Sequence, residues 1–271
     1  METPVLWQFT SSHFNEKARW ALDYKRVPHI RHSLVPGFHV AAVKRMTGKT
    51  HVPVLKLNGE IISDSSKIIE AVERAFPTPP LYPDDPAERR RALELEDFFD
   101  EELGPHIRRW IFHMILPYPG TVRALFVNHA SLPVRLAQRV MSPLVAPVMR
   151  KQMKINPESA ERSRVKTIAA MDRLEKELRP CGYLVGDRFT VADLTAAALL
   201  APIARPPEFP YGGGVALPEP FKKARESLQN HRAFKWTLET YRRHRGKSAE
   251  VSGITNAADR NTATVGTAVG Q

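Results

Sequence analysis

The chain has 271 residues, 42% of them hydrophobic and 25% charged, which suits one large or two modest globular domains and excludes a disordered or fibrous composition. Its formal net charge is +11. No helix-turn-helix, zinc-finger or RNA-binding signature accompanies that charge, so it reads as a solvated surface and no nucleic-acid partner is expected. The single cysteine, Cys181, excludes an internal disulfide framework and any paired-cysteine redox or metal motif.

The N-terminus lacks a basic start followed by a long apolar run, and no apolar stretch approaches the ~20 residues that cross a bilayer. A cytoplasmic location is the expectation.

In chain order, Val5–Phe9 predicts a short strand, and the polar Thr10–Ser12 precedes a helix over Glu16–Lys25. Phe14, Ala18, Ala21 and Leu22 share one face of that helix, and Ser12 is placed to cap it. Pro28–Leu34 predicts a second strand, ended by Pro36-Gly37, and His39–Met46 a short helix. Val52–Ile62 reads as a hairpin, because Asn58-Gly59 suits the positive φ angles of a two-residue turn. Asp64-Ser65 then opens a helix whose apolar side is Ile68, Ile69, Val72 and Phe76.

Five prolines between Pro77 and Pro86 mark a stiff boundary, after which strand signals stop. Ala87–Leu116 predicts an amphipathic helix broken at Gly104-Pro105, followed by helices over Ser159–Leu178, Thr190–Leu200 and Phe221–Arg243. Thr190 and Asp193 have the spacing of a capping box, with Phe189 and Leu194 placed as a hydrophobic staple. The division is 1–78, a linker at 79–86, a helical domain at 87–246, and a Ser-, Thr- and Gly-rich tail at 247–271 expected to be disordered.

Three segments together resemble the glutathione transferase superfamily, in its serine-type, bacterial-like form. They are Ser12-His13-Phe14-Asn15-Glu16-Lys17-Ala18-Arg19-Trp20-Ala21-Leu22, then His51-Val52-Pro53-Val54-Leu55 with Asp64-Ser65, and Val185-Gly186-Asp187-Arg188-Phe189-Thr190-Val191-Ala192-Asp193. The resemblance implies an α/β thioredoxin-like N-terminal domain joined to an all-α C-terminal domain, with glutathione as co-substrate and a homodimer as the assembly.

It also implies roles for particular residues. Ser12 would stabilise the glutathione thiolate, with Ser11 the near alternative, while Gln8 stands where tyrosine-type members carry their hydroxyl. Pro53 would be the cis-proline, Val52 would bond the cysteinyl backbone, and Asp64 and Ser65 would hold the γ-glutamyl end. His39, Lys49 and His51 are candidates for the glycyl carboxylate. Trp110, Phe112, His113 and Tyr118 are candidates for the wall of a pocket for a hydrophobic second substrate.

The chemistry follows from the thiol. Its reference pKa near ~8.5 leaves it mostly protonated at neutral pH, and a fall of about two units needs roughly 2.7 kcal/mol of preferential thiolate stabilisation. A hydroxyl at a helix N-terminus supplies a hydrogen bond where backbone amides and macrodipole already favour negative charge.

No acidic residue lies between Glu102 and Glu158, and Ser131–Lys154 mixes arginines and lysines with large apolar residues. Such a stretch admits peripheral contact with anionic membrane, although Pro133, Pro143 and Pro147 oppose one long surface helix. The alternative to an enzyme is therefore a non-catalytic scaffold acting through its basic helical domain at a protein or membrane surface.

Overall fold

The computed structural model describes residues 2–127, 145–211 and 213–251. Most of the basic 131–154 stretch, and the tail from 252 onward, lie outside them.

Four short strands, β1 (Val5–Gln8), β2 (Ile30–Ser33), β3 (Val54–Leu57) and β4 (Glu60–Ser63), form one sheet in the order β2-β1-β3-β4. β1 runs parallel to β2 and antiparallel to β3, and β3 pairs antiparallel with β4. The parallel pair requires a crossover, supplied by α1 (His13–Tyr24). The antiparallel pair needs only the Asn58-Gly59 turn, with φ of 50° and 87°. α2 (His39–Thr47) follows β2, and α3 (Ser65–Ala75) follows β4. Leu6, Ala18, Leu22, Leu55, Leu57, Ile68 and Val72 form a core between the sheet and the α1–α3 pair.

Beyond the proline-rich linker, up to His244, the described elements are all helices. α4 (Pro86–Phe98) continues through one wide π turn (Phe99–Leu103) into α5 (Gly104–Ile115). The break expected at Gly104-Pro105 is thus a change of winding. Pro105 has no N–H to donate to the preceding turn, and a π turn beside it keeps the helix going. α6 (Pro119–Val127), a helix over 145–152 that we label α7, α8 (Pro157–Glu177) and α9 (Val191–Ala204) follow. Where one last helix is expected there are two, α10 (Glu219–Leu228) and α11 (Arg232–His244), because His231 turns out of helical geometry and caps the second by accepting from the Ala233 N–H.

α9 is buried along nearly its whole length and packs against α1, α4, α5 and α11, so it is the axis of the helical domain. Its start is fixed by Asp193, whose carboxylate accepts from the Leu184 and Thr190 amides and the Thr190 hydroxyl, each at 2.9 Å. Burial nevertheless pushes that carboxyl up to about 6.

α1 lies between the sheet domain and α9, and is buried on every face. Its charges are therefore matched inside the protein. Arg245, just beyond α11, donates to Glu16 at 2.6 Å and to Asp23 at 2.8 Å. Arg31 of β2 grips Asp23 through both oxygens at 2.6 and 2.7 Å. Burial alone would raise the Asp23 carboxyl, but Arg245 and Arg31 hold it below the usual carboxylate range.

The disorder expected from residue 247 does not extend to 247–251. The Ala249 N–H donates to Asp23 at 2.8 Å, and Val251 and Ala249 exchange backbone bonds with His29 beside β2. A buried carboxylate with lone pairs to spare for a passing backbone N–H outweighs the low apolar content of those residues.

Removing Arg245 leaves two buried carboxylates short of a cation, a change that costs about 3–5 kcal/mol where a buried pair is broken. Arg245→Met is expected to lower the unfolding free energy by about 3 kcal/mol in a urea titration. A loss below about 1 kcal/mol would show that Arg19 and Arg31 suffice.

Candidate active site

Sheet register brings the sequence-predicted residues together. Trp7 of β1 faces Val54 of β3, and Val54 faces Ser63 of β4, so the three form one row across the sheet. Just past that row, on the same edge, come the β1–α1 loop ending in Ser12, the cis Val52-Pro53 bond, and Asp64-Ser65 at the start of α3.

Ser12 is the N-cap of α1, its Oγ accepting from the Asn15 N–H at 3.4 Å. Asn15 also donates from Nδ2 to the Val52 carbonyl at 3.5 Å, linking the cap to the cis-proline loop. The Val52 N–H makes no backbone bond among the described residues. Asp64 holds φ at +94°, a region L-residues rarely occupy, and its Oδ1 accepts from the Ser66 and Lys67 amides at 3.0 and 3.3 Å. The Ser65 amide, first of the helix, has no intrahelical acceptor and remains for an anion.

That helix start is anchored from below. Ser66 donates to Asp100 at 2.8 Å, and the buried Lys17 ammonium reaches Ser66, Glu96 and Asp100 at 3.0, 3.2 and 2.5 Å. Arg19 does the same for the β1–α1 loop. Its guanidinium donates to Glu16 and Gln8 at 2.7 Å, and to the carbonyls of Phe9, Thr10 and Ser12 at 3.1 to 3.3 Å. One planar fork thus fixes every turn of the chain between β1 and the cap.

Gln8 carries no hydroxyl, but its Nε2 donates at 3.1 Å to the hydroxyl of Tyr211, which arrives from the loop after α9. The Tyr211 ring also lies over the Arg19 guanidinium, 5.0 Å from its centroid.

His13 is buried and joins the two domains, its Nε2–H donating to the Gly104 carbonyl at 3.0 Å. Burial, reinforced by nearby Arg108, lowers its pKa to about 3, so it is a neutral tether.

Beside this loop opens an apolar cleft between α1, α5, α9 and the chain after α9. Ser11 and His13 form its rim, Arg108, Ile111, Phe112 and Ile115 of α5 one wall, and Pro202, Arg205, Phe209, Tyr211 and Phe221 line the opposite side. Leu125, Ala201 and Leu217 complete it.

Several expected roles are corrected. His39 is not a free cation for a carboxylate: its Nδ1 accepts from the Gly37 N–H at 3.1 Å and its Nε2–H donates to the Thr50 carbonyl at 3.0 Å. Burial also lowers its pKa. Lys49 and His51 are exposed on the loop leading to Pro53 and remain available. Among the wall candidates, only Phe112 lines the cleft. Trp110 sits in the main core, since two helical residues separate it by about 200° from Phe112. His113 and Tyr118 lie outside the lining, Tyr118 on the surface.

Comparison with known proteins decides the family. The N-terminal domain model of glutathione S-transferase matches residues 6–80, and the C-terminal domain model matches residues 137–220. The chain belongs to the glutathione transferase superfamily. Among relatives, glutathione S-transferase U4 of Arabidopsis thaliana is 41% identical over 54 residues, 20% of this chain and 24% of that protein. Glutathione S-transferase TCHQD of the same plant is 25% identical over 202 residues, 69% of this chain and 72% of that protein. Among solved structures, the beta-etherase LigF from Sphingobium sp. strain SYK-6 shares the glutathione transferase fold. It has a TM-score of 0.59 and 21% identity, over 88% of this chain and 99% of that one.

The missed residues differ in how they could be found. Arg108, Ile111 and Ile115 complete, with the expected Phe112, the i, i+3, i+4, i+7 spacing of one helical face, which the sequence displays. Arg19 and Tyr211 meet across nearly 200 residues, and no local pattern announces that.

The His13–Gly104 junction leaves no room. A Cβ on Gly104 would stand 2.4 Å from Cζ of Phe14. Gly104→Ala is expected to cost about 1–3 kcal/mol, as overpacking does, read by chemical denaturation. Adding Phe14→Leu should recover most of that loss; a purely additive double mutant would place the fault elsewhere.

Proposed function

We propose that this transferase ionises glutathione at the N-terminus of α1 and directs the thiolate onto an apolar electrophile held in the adjoining cleft. The observation that carries the reading is the state of Ser12. Its oxygen accepts from the Asn15 amide, and its own proton is bound to no acceptor among the described residues. It is therefore a spare donor at the positive end of a 12-residue helix.

Glu16 lies in the first turn of that helix and would repel a thiolate. Arg19 and Arg245 pair with it at 2.7 and 2.6 Å and remove the objection. The tripeptide then lies along the shared sheet edge. Val52 offers its backbone to the cysteinyl unit, Ser65 offers its amide to the γ-glutamyl carboxylate, and Asp64 faces the ammonium. Lys49 and His51 stand nearest in sequence for the glycyl carboxylate. Dithiol chemistry has no support here, since the lone cysteine, Cys181, lies far along the chain on the surface.

Ser12→Ala is expected to raise the pKa of bound glutathione by about one to two units. Turnover should fall by about 10- to 100-fold at neutral pH, while the KM for glutathione moves much less. The ultraviolet absorbance of the bound thiolate against pH, with steady-state rates, measures both, and Ser11→Ala serves as the control. An unaltered thiol pKa and rate in Ser12→Ala would remove that hydroxyl from the mechanism. A chain that shows no glutathione binding in a calorimetric titration would instead be the scaffold.

A further inference from the structure

Every buried cation around α1 has a carboxylate partner. Lys17 has Glu96 and Asp100, Arg19 has Glu16, Arg31 has Asp23, and Arg245 has both Glu16 and Asp23. Arg108 breaks that pattern. It is half-buried on the cleft wall, its guanidinium lies over the Phe14 ring at 5.8 Å, and no carboxylate pairs with it among the described residues. Its neighbour Arg109 is occupied elsewhere, donating to the Met153 carbonyl at 2.9 Å and to Ser163 at 3.0 Å.

The rest of the lining sharpens the contrast. It holds no aspartate or glutamate, while Arg205 adds a second cationic side chain and His13 is neutral. Apart from Ser11 at the rim, the remaining surface is aliphatic and aromatic. Burial lowers the Arg108 pKa, with Arg109 adding to the effect, yet a guanidinium keeps its charge in proteins. A shielded charge without a counter-ion is costly, and a carboxylate received as a two-pronged pair offsets that cost.

We propose that the second substrate is an anionic amphiphile, an apolar or aromatic body bearing a carboxylate that Arg108 receives beside the sulfur. This rests on the thiolate site proposed above. The apolar body lies between Ile111 and Phe112 of one wall and Phe221 of the other, and the carboxylate selects against neutral analogues of the same shape.

The test uses the full chain and two matched pairs. One pair is unreactive, 2-naphthoate and methyl 2-naphthoate, with binding read by calorimetry without glutathione. The other is reactive, 4-chloro-3,5-dinitrobenzoate and its methyl ester. Here the thiolate forms the carbon–sulfur bond, chloride leaves with the carbon–chlorine bonding pair, and the thiol proton goes to solvent. Rates are corrected for the uncatalysed reaction.

Wild type should favour each carboxylate over its ester by about tenfold or more, Arg108→Gln should bring both ratios near unity, and Arg108→Lys should keep part of the preference. Lys235→Gln, which removes one exposed charge from α11, should leave both ratios as in wild type and so separates a specific site from attraction by net charge. Equal preference in wild type and Arg108→Gln, or ratios that fall equally in Lys235→Gln, would overturn the proposal. A naphthoate preference that depends on Arg108, with no turnover of either electrophile, would instead overturn the thiolate site and leave an anion-binding cleft.

Discussion

The constraint on which the architecture depends is that a charged helix is buried on all sides. α1 carries Glu16, Lys17, Arg19 and Asp23 within eight residues, and none of them reaches solvent appreciably. An isolated charge in such a place costs several kcal/mol, so each must find a partner, and the partners come from different parts of the chain. β2 sends Arg31, the α4 region Glu96 and Asp100, and the end of α11 Arg245. These pairs fix where the domains sit on α1. A hydrophobic interface of equal area would hold them together with less definition of register.

The same constraint builds the reactive edge. Arg19 is drawn into the interior by Glu16 and, once there, donates to the Phe9, Thr10 and Ser12 carbonyls of the β1–α1 loop. Lys17 is drawn in by Glu96 and Asp100 and fixes the start of α3 through Ser66. Ser12 and Asp64-Ser65 are thus set from beneath by two cations of one helix, Arg19 and Lys17. The loop that meets substrate takes its rigidity from ion pairs that substrate never touches.

How much of this the sequence discloses depends on the range of the interaction. Asn58-Gly59, the Thr190–Asp193 box and the Ser12 cap act within a few residues, and each is found where the sequence places it. The wide turn at Phe99–Leu103, the second cap at His231 and the ordered 247–251 segment depend on packing or distant partners, and propensity alone is silent on them. At the candidate site, Ser12, Pro53 and Asp64-Ser65 are legible because strand ends bring them together. His39 misleads because an exposed-looking imidazole near a loop can serve the backbone as well as a ligand, and only geometry separates the two.

The helix α5 shows most clearly what a periodic reading adds. Ile107, Trp110, Ile111 and Met114 belong to the core, whereas Arg108, Ile111, Phe112 and Ile115 line the cleft. The two stripes are offset by about 100°, one residue of helix, and meet at Ile111 and Ile115, which belong to both the core and the cleft lining. Taken as an aromatic cluster, Trp110 and Phe112 read as one wall; taken by angle, they part to opposite sides. The same rotation that removes Trp110 from the cleft brings Arg108 into it. The wall therefore has a cation among its apolar residues, and that cation, more than the aromatic content, distinguishes this cleft from a simple hydrophobic slot.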